Sequence, residues 1–354
     1  MTASLPILEL KRGNIVEAVH KGSIVVVDSN GKTIASYGDL NMVAFLRSSG
    51  KPFQALPFVE HGGVEHYGYT EKELSLSCAS HDGAHIHIET VKGMQAKVGI
   101  EENNLQCGGH LPSDPQMLRE FICKDLKPTH NYNNCSGKHT TMLAHAKMRG
   151  FPLENYLDIQ HPIQQEILAA LSEMCGIAKN NIELGVDGCS APNFALPLYN
   201  AALGMARLCD PHDLTEPRAA SCKKITSAMM MHPEMISNHG EFDCELMKAC
   251  AGKVVTKRGA EGFQIIGILP GALAENSPGL GIAFKVDDGD ASHMSDELIS
   301  TARVRPATTL EILRQLKVLD KEQLRTLSKF GPEKTLKNFA GLITGSSSPV
   351  FKLA

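Results

Sequence analysis

The chain lacks a basic excess, a long apolar run and a cysteine framework. Its 35 Lys and Arg stand against 39 Asp and Glu, a formal charge of -4, so the electrostatic footprint of a nucleic-acid binder is missing. No apolar run reaches the ~18 residues of a membrane span, so no membrane partner is expected. The opening stretch, MTASLPILELKRG, has neither the basic start nor the long apolar segment of a secretory signal. A cytoplasmic location is therefore the expectation. The ten cysteines contain no C-x-x-C pair, and in a long chain without an export signal they read as reduced thiols, mostly small core hydrophobes. A Gly-x-Gly-x-x-Gly fingerprint after the first strand is missing too, which argues against a dinucleotide-binding fold. Tryptophan is absent, and that absence excludes no function.

What is present reads as strands, a helical middle and strands again. Residues 5–38 are rich in β-formers, and Asn30-Gly31 between two such runs signals a hairpin. A helix is expected at about 49–61, ending at Gly62-Gly63. Another is expected over 162–175, opening at Pro162 and stopping at Gly176, with Ile163, Ile167, Leu168, Leu171 and Met174 on one stripe. Segments near 83–98, 115–124, 137–148, 195–208, 219–231 and 240–251 read as helix. Strands return at 253–256, 262–268 and 281–286, followed by a helix over 294–304 and two short helices within 308–328. The order predicts an α+β fold. Its sheet domain is built from residues 1–65 and 250–354, around a mainly helical region at 66–249.

The most informative stretch is Arg47-Ser48-Ser49-Gly50-Lys51-Pro52. Ser48 and Lys51 are three residues apart, which puts both on one face of a helix. Ser48 suits a helix cap and Pro52 a first turn. A serine needs a base to become a nucleophile, and a neutral lysine within hydrogen-bond reach is one. Ser80 follows within Ser77-Cys78-Ala79-Ser80-His81, and Lys257 lies in Lys257-Arg258-Gly259 at a late strand end. This S-x-x-K, Ser, K-x-G order is that of serine β-lactamases and penicillin-binding proteins. Each element also has a bland explanation: a cap for the serines, solvated charges for the lysines. His81, His85 and His87 form a further cluster, with His85 and His87 expected at a solvated helix start.

With Arg47–Gln54, Cys78-Ala79-Ser80-His81, Cys107-Gly108-Gly109-His110, Asn133-Asn134-Cys135-Ser136-Gly137-Lys138-His139, Asp187-Gly188-Cys189, His232-Pro233-Glu234-Met235, Lys257-Arg258-Gly259-Ala260 and Lys285–Gly289, the chain resembles the Rhizobium etli-type (class 3) L-asparaginases of the asparaginase II family. The resemblance spans essentially the whole chain. It implies a fold similar to the serine β-lactamase and glutaminase group. It also implies catalytic pairs Ser48–Lys51 and Ser80–Lys257, with Ser48 the nucleophile in hydrolysis of asparagine to aspartate and ammonia. It further implies a zinc site of Cys135, Lys138 and Cys189 that aids substrate binding rather than attacking. Lysine is an unusual zinc ligand, and His139 remains a rival to Lys138. Asp187 is placed to hold the substrate ammonium or to support the metal, and Arg47 to clamp the α-carboxylate as a two-donor fork. Lys138 also counts among the substrate-binding candidates. The expected partners are a small amino-acid substrate and a second copy of the chain in a homodimer.

Three other readings compete. A glutaminase differs by one methylene of substrate, worth only about 1–3 kcal/mol of discrimination. A β-lactam-recognising hydrolase fits S-x-x-K and K-x-G but leaves Cys135, Lys138 and Cys189 without a role. A zinc-binding amino-acid sensor keeps the thiols but has no use for two Ser–Lys pairs.

Overall fold

The computed structural model describes residues 4–290, 293–294, 300–301 and 303–354. The strands in chain order are β1 (Leu5–Arg12), β2 (Ile15–Asp28), β3 (Thr33–Tyr37), β4 (Val43–Phe45), β5 (Glu183–Val186), β6 (Pro192–Pro197), β7 (Val254–Arg258), β8 (Phe263–Ile268), β9 (Leu280–Val286), β10 (His293–Met294), β11 (Ser300–Thr301), β12 (Lys334–Lys337) and β13 (Ile343–Pro349). The helices are α1 (Lys51–Glu60), α2 (Gly63–Tyr67), α3 (Glu71–Ser77), α4 (His85–Val98), α5 (Pro115–Lys124), α6 (Ser136–Met148), α7 (Pro162–Cys175), α8 (Leu198–Cys209), α9 (Glu216–Met231), α10 (Pro233–Ile236), α11 (Phe242–Ala249), α12 (Val304–Gln315) and α13 (Lys321–Thr326). The chain is α+β and forms two compact units, one of residues 1–44, 196–210 and 245–354, the other of residues 45–195 and 211–244.

The first unit is built on an antiparallel sheet of order β12-β13-β1-β2-β9-β8-β7, with β3 also paired to β2. The long strand β2 serves two neighbours on one side. Its first half pairs β1 from Leu5↔Gly22 to Arg12↔Ile15, and its second half pairs β3 from Ile24↔Tyr37 to Val27↔Thr33. The β2–β3 turn is the expected Asn30-Gly31, with Gly31 at φ 83°. Ile24, Val25, Val26 and Val27 are fully buried, as a strand covered on both faces requires. Helix α8 packs across β9, β2 and β8. A Cβ on Gly281 would sit 1.8 Å from the Ala202 carbonyl oxygen, so only glycine lets helix and sheet approach this closely.

The second unit is mainly helical and also carries the antiparallel β5–β6 pairing from Glu183↔Ala195 to Val186↔Pro192. Helix α1 is buried along Lys51–Val59 and packs against α7, α9 and α6. Phe53, Ala55, Leu56, Phe58 and Val59 make most of this helix apolar, while Lys51 and Gln54 are polar side chains buried with them. These contacts group α1 with the helices, whereas the sequence assigned residues up to 65 to the sheet domain. Helix α3 starts with a Thr70–Glu73 capping box. Helix α7 matches its predicted limits at both ends, with His161 as cap and Gly176 left-handed. The helix expected over 195–208 is corrected at its start: β6 runs to Pro197 and α8 begins at Leu198, because Phe194, Ala195 and Leu196 complete a buried strand instead. The helix expected over 294–304 falls largely outside the described residues; α12 begins at Val304.

Candidate active site

The 3₁₀ turn Arg47–Gly50 leads into α1. The α1 cap is Gly50, without a side-chain cap bond, so Ser48 is not the helix cap that its position suggested; it lies one residue pair earlier, within the tight turn. Arg47 holds a left-handed φ of 52°, uncommon for a residue with a Cβ. Two bonds fix it there. Its N–H donates to Asn193 Oδ1 at 3.1 Å, and its Nε donates to Asp187 Oδ1 at 2.7 Å. The Arg47 and Asp187 side chains are 26% and 12% exposed, so the pair is screened yet reachable. Two helix-start donors are already used: Ser49 N–H bonds to the Leu46 carbonyl and Lys51 N–H to the Ser48 carbonyl.

Lys51 is buried. Its Nζ reaches the Ala79 carbonyl, Ser80 Oγ at 3.0 Å and the Asn134 carbonyl at 3.4 Å. The structure thus brings Lys51 to Ser80. Ser48 is half-buried, and no hydrogen bond of its hydroxyl is among those described. Ser80 follows α3 and is fixed by its N–H bond to the Ile236 carbonyl. Lys257 lies in the other unit, on β7, where its Nζ donates to the Arg258 carbonyl at 2.9 Å.

Beside Ser80, His81 is buried. Its Nδ1 accepts from Gly83 N–H at 3.2 Å, so Nε2 carries the proton and donates to Ser136 Oγ at 2.8 Å. Ser136 in turn donates to the Asn131 carbonyl at 3.0 Å. Burial, then the neighbouring His87, Lys51 and His110, hold His81 well below the usual histidine range, so it stays neutral. The expectation of a solvated His87 is corrected: it is fully buried and stacked on His81 with ring centres 5.2 Å apart. His85 is exposed and meets Glu120.

A second cluster gathers around the start of α6. Cys135 is the residue before α6 and Lys138 is in its first turn; Cys189 lies in the β5–β6 hairpin loop, two residues after Asp187. The three sequence-predicted metal residues do converge. Lys138 Nζ is 3.0 Å from Cys189 Sγ. The thiols of Cys135 and Cys189 share a hydrogen bond, which draws Cys135 well below the ordinary thiol range against the effect of burial, with Lys51 and Lys138 adding to it. The same bond, with burial, pushes Cys189 up. Burial opposes the charge on Lys138, but Cys189 and Cys135 outweigh it and raise its pKa. Burial likewise opposes ionisation of Asp187, and Lys138 and Arg47 outweigh it and lower its pKa. His139 Nδ1 meets the Tyr156 hydroxyl at 2.6 Å. Its buried Nε2 has no well-formed hydrogen bond, although Cys189 is a neighbour, and burial pushes its pKa down to about 4.

The arrangement joins a serine–lysine pair, a guanidinium–carboxylate pair and a thiol–amine cluster within one helical unit. A family model for L-asparaginase II matches residues 8–349. The chain belongs to the L-asparaginase II family. That membership makes it an amidohydrolase. Comparison with curated protein sequences returned no match. Among solved structures, a Bacillus glutaminase determined in 4.3 M NaCl is similar at 12% identity over 84% of this chain and 91% of that one, with a TM-score of 0.40. A probable glutaminase from Bacillus subtilis complexed with 6-diazo-5-oxo-L-norleucine overlaps at 13% identity over 84% of each chain, TM-score 0.38. Mglu in its native form overlaps at 12% identity over 86% of this chain and 66% of that one, TM-score 0.43. Overlaps this loose carry no functional weight beside the family and the site. No described helix is long and apolar enough to cross a membrane.

Sequence reasoning missed the β5–β6 hairpin that presents Asp187 and Cys189, and the role of Asn193 and Asn134 in holding Arg47 and Lys51. The only signal for the hairpin was Asp187-Gly188 between short β-prone runs.

Proposed function

We propose that this amidohydrolase is an L-asparaginase of the Rhizobium etli type, converting L-asparagine and water to L-aspartate and ammonia through Ser–Lys nucleophilic catalysis. The observation that carries the reading is the buried Lys51 amine 3.0 Å from the Ser80 hydroxyl in a chain of this family. Two of the Lys51 neighbours are carbonyls, which only accept, and another is a hydroxyl, which both accepts and donates; the Cys135 thiol lies close by as well. The amine can therefore give a proton to Ser80 or take one from it without moving its other partners. Ser48, one turn before Lys51 and half-exposed, is the nucleophile in this scheme. Its oxygen attacks the side-chain amide carbon, the C–N bond breaks, and ammonia leaves with a proton passed through Ser80 and Lys51. Water then cleaves the Ser48 ester, releasing aspartate and restoring the hydroxyl. Arg47 faces the substrate α-carboxylate and Asp187 its ammonium, the two held in register by their own ion pair.

The thiol–amine cluster fits zinc by its donors: two thiols in contact, an amine 3.0 Å from one of them, and a buried His139 nitrogen short of a partner. Cys135 and Cys189, with Lys138 or His139, would hold it. When bound, zinc supplies a positive centre that orients the substrate. A homodimer belongs to the same proposal and rests on the family expectation; a cytoplasmic location belongs to it too and rests on reading the ten cysteines as reduced thiols.

The test is ammonia release from asparagine and from glutamine by the wild type and Ser48→Ala. Asparagine turnover that disappears in the variant supports the reading. Faster turnover of glutamine makes the chain a glutaminase, and no release from either amide by folded, zinc-supplied protein removes the asparaginase assignment.

A further inference from the structure

Away from the serines and thiols, three metal-ligating side chains from three helices of the same unit converge. His61 caps the end of α1, His145 lies in the last turn of α6, and Glu166 projects from α7. The ligand atoms all lie within 4.8 Å of one another. His145 Nε2 is 3.2 Å from Glu166 Oε2, and His61 Nδ1 is 3.8 Å from the same oxygen. Donors bound at about 2.0–2.2 Å to a tetrahedral ion are separated by roughly 3.3–3.6 Å, so these spacings are close to the edges of such a shell.

The orientation of the groups is the second observation. The His145 side chain is only 3% exposed, yet its Nε2 makes no hydrogen bond, and neither does the buried Oε2 of Glu166. Two complementary polar atoms at 3.2 Å that fail to bond to each other are not aligned as donor and acceptor. Leaving them unpaired in the interior is costly. A cation between them would satisfy both. The other carboxylate oxygen, Oε1, is held by Arg149 Nη1 at 3.2 Å, which fixes the plane of the carboxylate as outer partners of metal ligands do. His61 Nδ1 now meets the Pro57 carbonyl at 2.7 Å and must give up that contact to bind. Its side chain, 38% exposed, has the freedom to do so and opens the site to solvent.

We propose that His61, His145 and Glu166 form a second metal site, distinct from the cysteine cluster, which takes a borderline divalent cation such as zinc and ties α1, α6 and α7 together. Imidazole and carboxylate donors suit such an ion. The neighbouring Arg149 charge makes the site weaker than one built on thiolates. Binding to the folded chain alone raises the unfolding temperature, and the rise continues with the logarithm of the free ion concentration once that exceeds the dissociation constant.

Cobalt(II) titration of the full chain reads the two sites separately, because only the cysteine cluster gives a sulfur-to-cobalt charge-transfer band. Two cobalt ions per chain are expected, one contributing that band and one only weak visible absorption. Glu166→Gln and, on an exposed side chain that tolerates change, His61→Ala should each remove one equivalent and leave the sulfur band in place. They should also abolish the later part of the zinc-dependent rise in unfolding temperature. A stoichiometry unchanged in both folded variants overturns the proposal, as does binding of a single ion that carries the sulfur band. Loss of the sulfur band alone in wild type would instead count against the cysteine zinc site.

Discussion

The turn that begins α1 and the segment that follows α3 each present a serine hydroxyl, and the two differ in what surrounds it. Ser48 sits half-exposed beside a left-handed Arg47 that is held by Asn193 and Asp187. Ser80 is buried, bonded to Lys51, and next to a neutral His81 that anchors the first residue of α6. One hydroxyl is partly exposed and lies beside a guanidinium–carboxylate pair. The other is closed and wired to an amine. Sequence spacing joins Ser48 with Lys51 because residues three apart share a helix face. The structure shows why sharing a face is not contact: Ser48 belongs to the 3₁₀ turn, and the Lys51 side chain runs inward to Ala79, Ser80 and Asn134. Exposure and proton access are divided between two serines.

That division is open to direct attack. Lys51→Met removes the amine that both halves of the proposed scheme use, and kcat for asparagine should fall by at least ~10³-fold, measured by ammonia release. The fold should persist, since a methionine of similar length fills the space of a buried amine side chain, and circular dichroism checks this. A variant that keeps more than a tenth of wild-type kcat would disprove the shared role. Next come the serines themselves. Ser48→Ala should lose about 10³-fold in kcat and form no acyl-enzyme by mass spectrometry, while Ser80→Ala should lose roughly 10²-fold yet still acylate slowly. An acyl adduct on Ser80 in the Ser48→Ala protein would exchange the two roles.

A smaller effect tests the charged side of the Ser48 turn. Asp187→Asn removes the negative charge that faces the Arg47 guanidinium, and truncating one member of a largely buried ion pair at a binding site costs about 2–5 kcal/mol. KM for asparagine should rise by at least ~10-fold, with kcat much less changed. A drop confined to kcat would remove Asp187 from substrate binding. The smallest effect concerns the Ser80 side. His81 is neutral and buried, with its folded pKa below the unfolded value near ~6.5. Between those values the unfolded chain binds more protons, so stability is full above about pH 6.5 and falls as the pH drops, by at most about 1.4 kcal/mol per pH unit from this group. Urea unfolding midpoints measured from pH 7.5 downward should fall less steeply in His81→Gln than in wild type, and parallel curves would contradict this account.

Local signals made much of the architecture legible. Pro162 and Gly176 bracket α7, and Asn30-Gly31 turns β2 into β3, because caps and turns depend on near neighbours. The alternation of strands, helices and strands gave the α+β class. Strands β5, β6, β12 and β13 were not legible: β5, β12 and β13 are short or exposed and carry Gly, Ser and Lys, while β6 includes prolines at both ends. At the site, residue types were readable and their partners were not. Nothing near Lys51 in sequence announces the Ala79 and Asn134 carbonyls, 28 and 83 residues away. Burial of His87 was hidden for the same reason, since a polar residue two positions into a helix looks solvated until the helix is packed.

One glycine couples the two halves of the site. A Cβ on Gly137 would lie 2.4 Å from the Leu76 carbonyl oxygen, so the first turn of α6 rests on the backbone at the end of α3. Ser80 leaves from one side of that contact, and Cys135 and Lys138 from the other. The spacing between the hydroxyl chemistry and the sulfur chemistry is therefore set by main-chain atoms, which side-chain substitution cannot adjust by degrees. Laboratory or natural evolution of this enzyme has a fixed chassis here. New substrate preferences must be sought on the Arg47–Asp187 flank, where longer and shorter side chains can be exchanged without disturbing the seam.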